Sequence, residues 1–211
     1  MQAPSTRDHI KLCAQRLFAQ RGVDGVTTRE IVAASEQKNS GSLHYYFGTK
    51  EALVRELIVD TARLIDDRRN TTLDRIDAAG GPRSLRQVLE VLVYPSLKLG
   101  EGEVEEDSYL RFISLLALQN RALLDEVLAG GLNSGYQRCL AHLRRLLHTL
   151  PPQVLEERLV FMSIALRAIL AAREASMGRD GAAHPFWTDE ALANLLAALE
   201  GLLTARWPPT A

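Results

Sequence analysis

The sequence predicts an all-α fold, with three short N-terminal helices followed by six longer ones. Two observations carry this. Apolar residues recur at three- and four-residue spacing through almost every segment, and no stretch alternates apolar and polar residues as a half-buried strand would. β-Branched residues are sparse, and Gly, Pro and polar clusters fall between the periodic segments, where helix ends belong.

Each element has its own signal. From Arg7 to Gln20, Ile10, Cys13, Leu17 and Phe18 form one stripe, and Gly22 is placed to stop the helix. TTRE fits a capping box in which Thr27 caps and Glu30 reaches back. The helix it opens, Thr28 to about Ser35, carries Ile31, Val32 and Ala34. EQKNS is a polar turn, and Asn39 or Ser40 can cap a third helix, Gly41 to Phe47. Gly48 ends that helix, and Thr49 caps a fourth from Lys50 to about Leu73. Ala78–Arg83 (AAGGPR) breaks the chain, and Pro82 can start a helix to about Leu99. Gly100–Asp107 is an acidic connection, and helices follow at roughly 108–129, 133–149, 152–177 and 188–206. Pro151 and Pro152 separate two of them, and Gly178–Pro185 separates the last two.

The 211-residue chain has a formal net charge of −1, so it is not a polycation. Its charge is nevertheless uneven. Residues 1–50 carry seven Lys and Arg against four Asp and Glu, and residues 51–211 carry eighteen against twenty-two. A basic head on an acidic body points toward a polyanionic partner at the N-terminal end. The two cysteines, Cys13 and Cys139, give neither a disulfide framework nor a zinc pattern. No apolar run reaches a membrane span, and the start has no apolar stretch of signal-peptide length, so a cytoplasmic location is expected with no membrane partner.

The most informative stretch is NSGSLHYYFGTKEAL, residues 39–53. Two short helices joined by a tight polar turn form a helix-turn-helix layout, whose second helix enters the major groove of DNA. Gly41–Phe47 is too short to be stable alone and must be held by neighbours. Leu43 and Phe47 share one face and can pack on Ile10, Leu17, Phe18 and Ile31. The serines and His44 then offer hydrogen bonds to base edges, and the tyrosine hydroxyls reach phosphates. Thr49 and Lys50 open the next helix, whose N-terminal amides favour an anion. On these residues alone, a DNA face and plain helical packing both stand.

The segment LFAQRGVDGVTTREIVAASEQKNSGSLHYYFGTKEALV, residues 17–54, closely resembles the N-terminal domain of TetR-type transcriptional repressors. The shared pattern is Leu17-Phe18, Arg21-Gly22, Thr27-Thr28, Ile31, Gly41 to Phe47 and Lys50 to Leu53. The resemblance implies a DNA-binding domain over residues 1–50 and a ligand-binding and dimerisation domain over 51–211. Carried over by position, Thr28, Arg29, Ser40, Ser42, His44, Tyr45 and Lys50 are candidate DNA contacts. The turn SEQKNSG is one residue longer than the commonest family form, and its Lys38 and Asn39 join the set, as does Tyr46. The family's usual Tyr-His-Tyr is here His44-Tyr45-Tyr46. Arg29 can alternatively pair with Glu30 or Glu36.

The resemblance further implies a homodimer on a palindromic double-stranded operator, released by a small-molecule effector and needing no cofactor. The last two helices would pair across a twofold axis, with Leu159, Leu166, Arg167, Leu170, Leu195, Leu199 and Leu202 at the dimer interface. The same apolar helices could instead complete a monomeric core. Tyr94, Tyr109, Phe112, Gln119, Tyr136, His142, Phe161 and Met162 are candidate ligand-lining residues. Arg167, which interrupts SIALRAILAA, can pair with an acid across the dimer or hold an anionic effector. Cys139 and His142 share a helix face, but two ligands without nearby partners make a poor metal site, and no metal is expected. With no Gly-rich phosphate loop, nucleophile elbow or clustered His and carboxylate set, no enzyme is expected. The competing reading is a helical protein-interaction module that does not bind DNA.

Overall fold

The computed structural model describes residues 5–37, 39, 41–97, 99, 108–177 and 188–207. Among them are ten α-helices and one 3-10 turn, with no strand. The helices are α1 (Thr6–Arg21), α2 (Thr28–Ala34), α3 (Ser42–Phe47), α4 (Lys50–Ala78), α5 (Leu85–Val93), α6 (Tyr109–Gln119), α7 (Arg121–Leu128), α8 (Ser134–Leu146), α9 (Pro152–Met177) and α10 (Asp189–Thr204). The chain divides into two compact units, Met1–Leu64 with Leu99–Leu132, and Ile65–Lys98 with Asn133–Ala211. Helix α4 gives its first half to one and its second half to the other.

In the first unit, α1 packs on α2 and α6. Its centre is Phe18, fully buried with its ring centroid 5.9 Å from that of Phe112. Ile10, Ile31, Leu53, Val54 and Ile58 of the same unit are fully buried too, while the expected Leu17 is only half-buried. Gly22 ends α1 at φ 74°, a conformation that favours glycine, and its N–H donates to the Phe18 carbonyl at 2.8 Å. It also leaves room for Gln119, whose side-chain oxygen would lie 2.3 Å from any Cβ there.

The second unit is built from the latter half of α4 with α5, α8, α9 and α10. Asp66 of α4 is buried and caps α8 from outside, accepting from the Ser134 hydroxyl at 2.7 Å and the Gly135 N–H at 2.8 Å. The Gly135 N–H, in the first turn, has no partner inside its own helix, so a carboxylate there both satisfies it and meets the positive end of the dipole. Gly135 allows the approach, because a Cβ would lie 2.7 Å from the Cβ of Arg69. At the other polarity, Arg158 of α9 is buried and donates to the Leu203 carbonyl at 2.7 Å and to the Ala205 carbonyl, capping the C-terminus of α10.

Three boundaries differ from the sequence expectation. The segment expected as one helix over 108–129 is two, so seven helices follow α3 rather than six. Asn120 breaks it at φ −146° and ψ 69°, and its side chain accepts from the Leu123 N–H at 3.1 Å, capping α7. Helix α5 starts after Ser84, whose hydroxyl accepts from the Gln87 N–H, and it gives way to a 3-10 turn, Tyr94–Ser96, at Pro95. Helix α4 runs five residues past Leu73 before Gly80 and Gly81, both at positive φ, turn the chain. The acidic connection 100–107 and the break 178–185 lie outside the described residues.

Candidate nucleic-acid interface

The interface is assembled from the start of α2, the turn after it, and α3. The capping box at α2 forms as its residue types require. The Glu30 N–H donates to the Thr27 hydroxyl at 3.3 Å, and the Thr27 N–H donates to the Glu30 carboxylate at 2.7 Å. That N–H, the Thr27 hydroxyl and Arg21 hold the Glu30 carboxyl down to about 2. Arg21 pairs with Glu30 at 2.7 Å, so the alternative in which Arg29 takes Glu30 is not realised. Among the described residues Arg29 has no ion-pair partner, and Thr28 and Arg29 are both exposed at the head of α2.

Helix α2 ends in a Schellman motif. The Glu36 N–H donates to the Ala33 carbonyl and the Gln37 N–H to the Val32 carbonyl, each at 3.1 Å. The left-handed position, normally glycine, is Glu36 at φ 54°. Beyond it, the Asn39 side-chain oxygen accepts from the Gly41 N–H at 2.8 Å. A Cβ on Gly41 would sit 3.2 Å from that oxygen, so this glycine accommodates the turn.

Helix α3 has six residues and is held through one face: Leu43 and Phe47 are buried, and the Arg7 guanidinium lies 4.9 Å from the Phe47 ring centroid. Arg7 is fixed in turn by Glu56 of α4. Lys11 donates to Glu56 and to Asp60, each at 2.8 Å; burial pulls its ammonium down, but these two carboxylates outweigh it and hold it above the ordinary lysine range. The opposite face of α3 is open. Tyr45 is 82% exposed, its ring edge-on to Tyr46 at 5.0 Å, and Tyr46 is half-buried. His44 is exposed, with Nδ1 2.6 Å from the Gly48 carbonyl.

Two expected contacts have different surroundings. Ser42 is 9% exposed, and its hydroxyl donates to the Asn39 carbonyl at 2.8 Å, tying helix to turn instead of facing a base. Lys50 donates to the carbonyls of Val23 and Val26, each at 3.0 Å, so its ammonium stitches α4 to the loop after α1. Lys38 and Ser40 lie outside the described residues, and Asn39 is exposed.

The candidate ligand-lining residues are divided between the two units. Tyr109 and Phe112 are buried in the first unit, where Gln119 lies against Gly22. In the second, Met162 is fully buried, Tyr136 lies 5.9 Å beneath the Arg69 guanidinium, and His142 Nε2 is 3.0 Å from Asp77. Tyr94 is exposed, and so is Phe161, both turned toward solvent within their own unit. Cys139 is sealed beside His142's helix face, and burial pushes its thiol up to about 11.

Five of the seven expected dimer residues face inward. Leu159, Leu166, Leu170, Leu195 and Leu199 are buried within the second unit, where α9 meets α10, and Leu202 and Arg167 are intermediate. Helix α9 instead turns Val160, Phe161 and Ile164 outward, each more than half exposed. Periodicity could not choose between these faces, because α9 is apolar nearly all round; only the position of α10 does.

A short helix propped by Leu43 and Phe47, with a polar face open beside a capped partner helix, defines a helix-turn-helix DNA-binding regulator. Comparison with known proteins places it more narrowly. The model described as bacterial regulatory proteins of the tetR family matches residues 13–57, and the tetracyclin repressor-like C-terminal domain matches residues 90–201. The chain belongs to the TetR family, a family of regulators rather than enzymes. A protein named HTH-type transcriptional repressor KstR2, from Mycolicibacterium smegmatis, is 41% identical over 59 residues. That match spans 28% of each chain.

Proposed function

We propose that the chain is a homodimeric repressor that sits on a palindromic operator in double-stranded DNA and leaves it when a small-molecule effector binds the body. The observation that carries this is the open face of α3: His44 and Tyr45 exposed on a helix whose other side is anchored, beside exposed Thr28 and Arg29. One two-turn helix gives little specificity, and two related by a twofold axis read a palindrome. The outward stripe Val160, Phe161 and Ile164 on α9 supplies an apolar surface for that pairing. Residues 1–50 do the reading and residues 51–211 hold effector and partner.

In this reading α4 is the carrier, because one continuous helix contributes to both compact units. A coupling of roughly 1–3 kcal/mol would change operator affinity about 5–150-fold. The protein works in the cytoplasm and needs no cofactor. Among the described residues no helix is long and apolar enough to cross a membrane. The test is retardation of the DNA upstream of the protein's own gene across a salt series. Affinity should fall steeply with salt as phosphate counterions are released. No retardation, or affinity indifferent to salt, would refute the reading.

A further inference from the structure

His44 and Gly48 are linked twice. The Gly48 N–H donates to the His44 carbonyl at 2.9 Å, closing α3, and the His44 ring returns Nδ1 to the Gly48 carbonyl at 2.6 Å. A carbonyl oxygen can only accept, so Nδ1 must carry the hydrogen. Gly48 makes this possible through its backbone: at φ 72° it is in the region glycine favours, while a Cβ there would meet nothing within 4 Å. The ring is therefore oriented, and in the neutral imidazole its tautomer is set. Among the described residues Nε2 has no hydrogen-bond partner, and the side chain is exposed.

We propose that His44 is a specificity-determining residue of fixed polarity: its Nε2 is an acceptor that selects a base bearing an exocyclic amine in the major groove. The proposal rests on the reading of α3 as the groove-entering helix. In that groove, adenine N6 and cytosine N4 are donors, whereas guanine O6 and N7 and thymine O4 are acceptors. An acceptor aimed at the base edge thus favours adenine or cytosine over guanine or thymine on the strand it faces. Asn39 has the opposite character. Its oxygen accepts from the Gly41 N–H, which fixes the orientation of the amide and leaves its two N–H donors without a protein partner among the described residues.

The test uses the full-length chain and a random-centre duplex library at mildly alkaline pH. Wild type and His44→Ala are selected in parallel. The expected result is one position per half-site where wild type demands adenine or cytosine and His44→Ala does not. That base is then replaced by purine or 2-pyrimidinone, which lack the amine. Wild type should lose about tenfold in affinity, as for one hydrogen bond, and His44→Ala should lose nothing more. Uniform weakening of all duplexes by His44→Ala would make His44 a phosphate contact and overturn the proposal. So would a lost preference for guanine or thymine, or equal sensitivity of both proteins to the analogue. Failure of wild type to retain any duplex would overturn the DNA reading itself.

Discussion

Glu36→Gly should make the protein more stable, because Glu36 occupies the one non-glycine left-handed position among the described residues. An L-residue in that conformation costs roughly 1–2 kcal/mol, since Cβ crowds the neighbouring carbonyl. Glycine removes the strain but brings more freedom to the unfolded chain, which returns about 0.5–1 kcal/mol. The net gain is about 0.5–1 kcal/mol, with the two Schellman hydrogen bonds unchanged. In a chain of this size that raises Tm by roughly 1–4 °C. The side chain is exposed, so no packing is lost. Its charge is removed as well, and Glu36→Gln isolates that effect because it keeps the strained backbone. The assay is urea unfolding of wild type and both variants with the m-value compared. If Glu36→Gly were no more stable than Glu36→Gln, the strain argument would be wrong.

Lys50→Met should lower stability by about 1–2 kcal/mol in chemical denaturation, since the Val23 and Val26 carbonyls each lose a charged donor. Unchanged stability with reduced DNA affinity would return Lys50 to the phosphate contact expected from sequence. Glu30, held down to about 2 by the Thr27 N–H, the Thr27 hydroxyl and Arg21, stabilises the fold above its unfolded value near 4.5 and ceases to do so as pH falls toward 2. Glu30→Gln should flatten that part of the acid-unfolding profile, and an unaltered profile would contradict the linkage. Ile164→Asp, on the outward stripe of α9, should yield a folded monomer by sedimentation, whereas a persistent dimer would place the interface elsewhere.

What could be read from the sequence was local. The capping box at Thr27 and Glu30, the stop at Gly22 and the helix break at Gly80 and Gly81 depend on residues within one or two turns, and residue type decides them. The buried pair Leu43 and Phe47 was legible because a two-turn helix has no other anchor. Ser42, Lys50 and Gln119 were not legible, because what each meets is a backbone atom or a missing side chain: the Asn39 carbonyl, the Val23 and Val26 carbonyls, the bare face of Gly22. Asn120 was overlooked since it lies inside an otherwise unbroken periodic stretch, yet an asparagine three residues before its N–H partner is an ordinary cap signal. The two faces of α9 could not be told apart in advance, for both are apolar.

A boundary at residue 50 is not a boundary in packing. Phe18 is fully buried, and the aromatic ring beside it is Phe112, far beyond that boundary in sequence. Gln15 donates to the buried Ser108 hydroxyl at 3.0 Å, and Gln119 covers the end of α1 at Gly22. Arg55 grips Glu126 through two hydrogen bonds of 3.0 Å, from the first turns of α4 to α7. Exposed ion pairs of this kind add little, but burial of Phe18 against Phe112 contributes through apolar area and ring packing together. Helix α6 is therefore part of what holds α1 in place, and α1, through Arg7 over Phe47 and the shared core, is part of what holds α3. The short helix α3 depends for its position on a core that the sequence motif alone, ending at α4, does not contain.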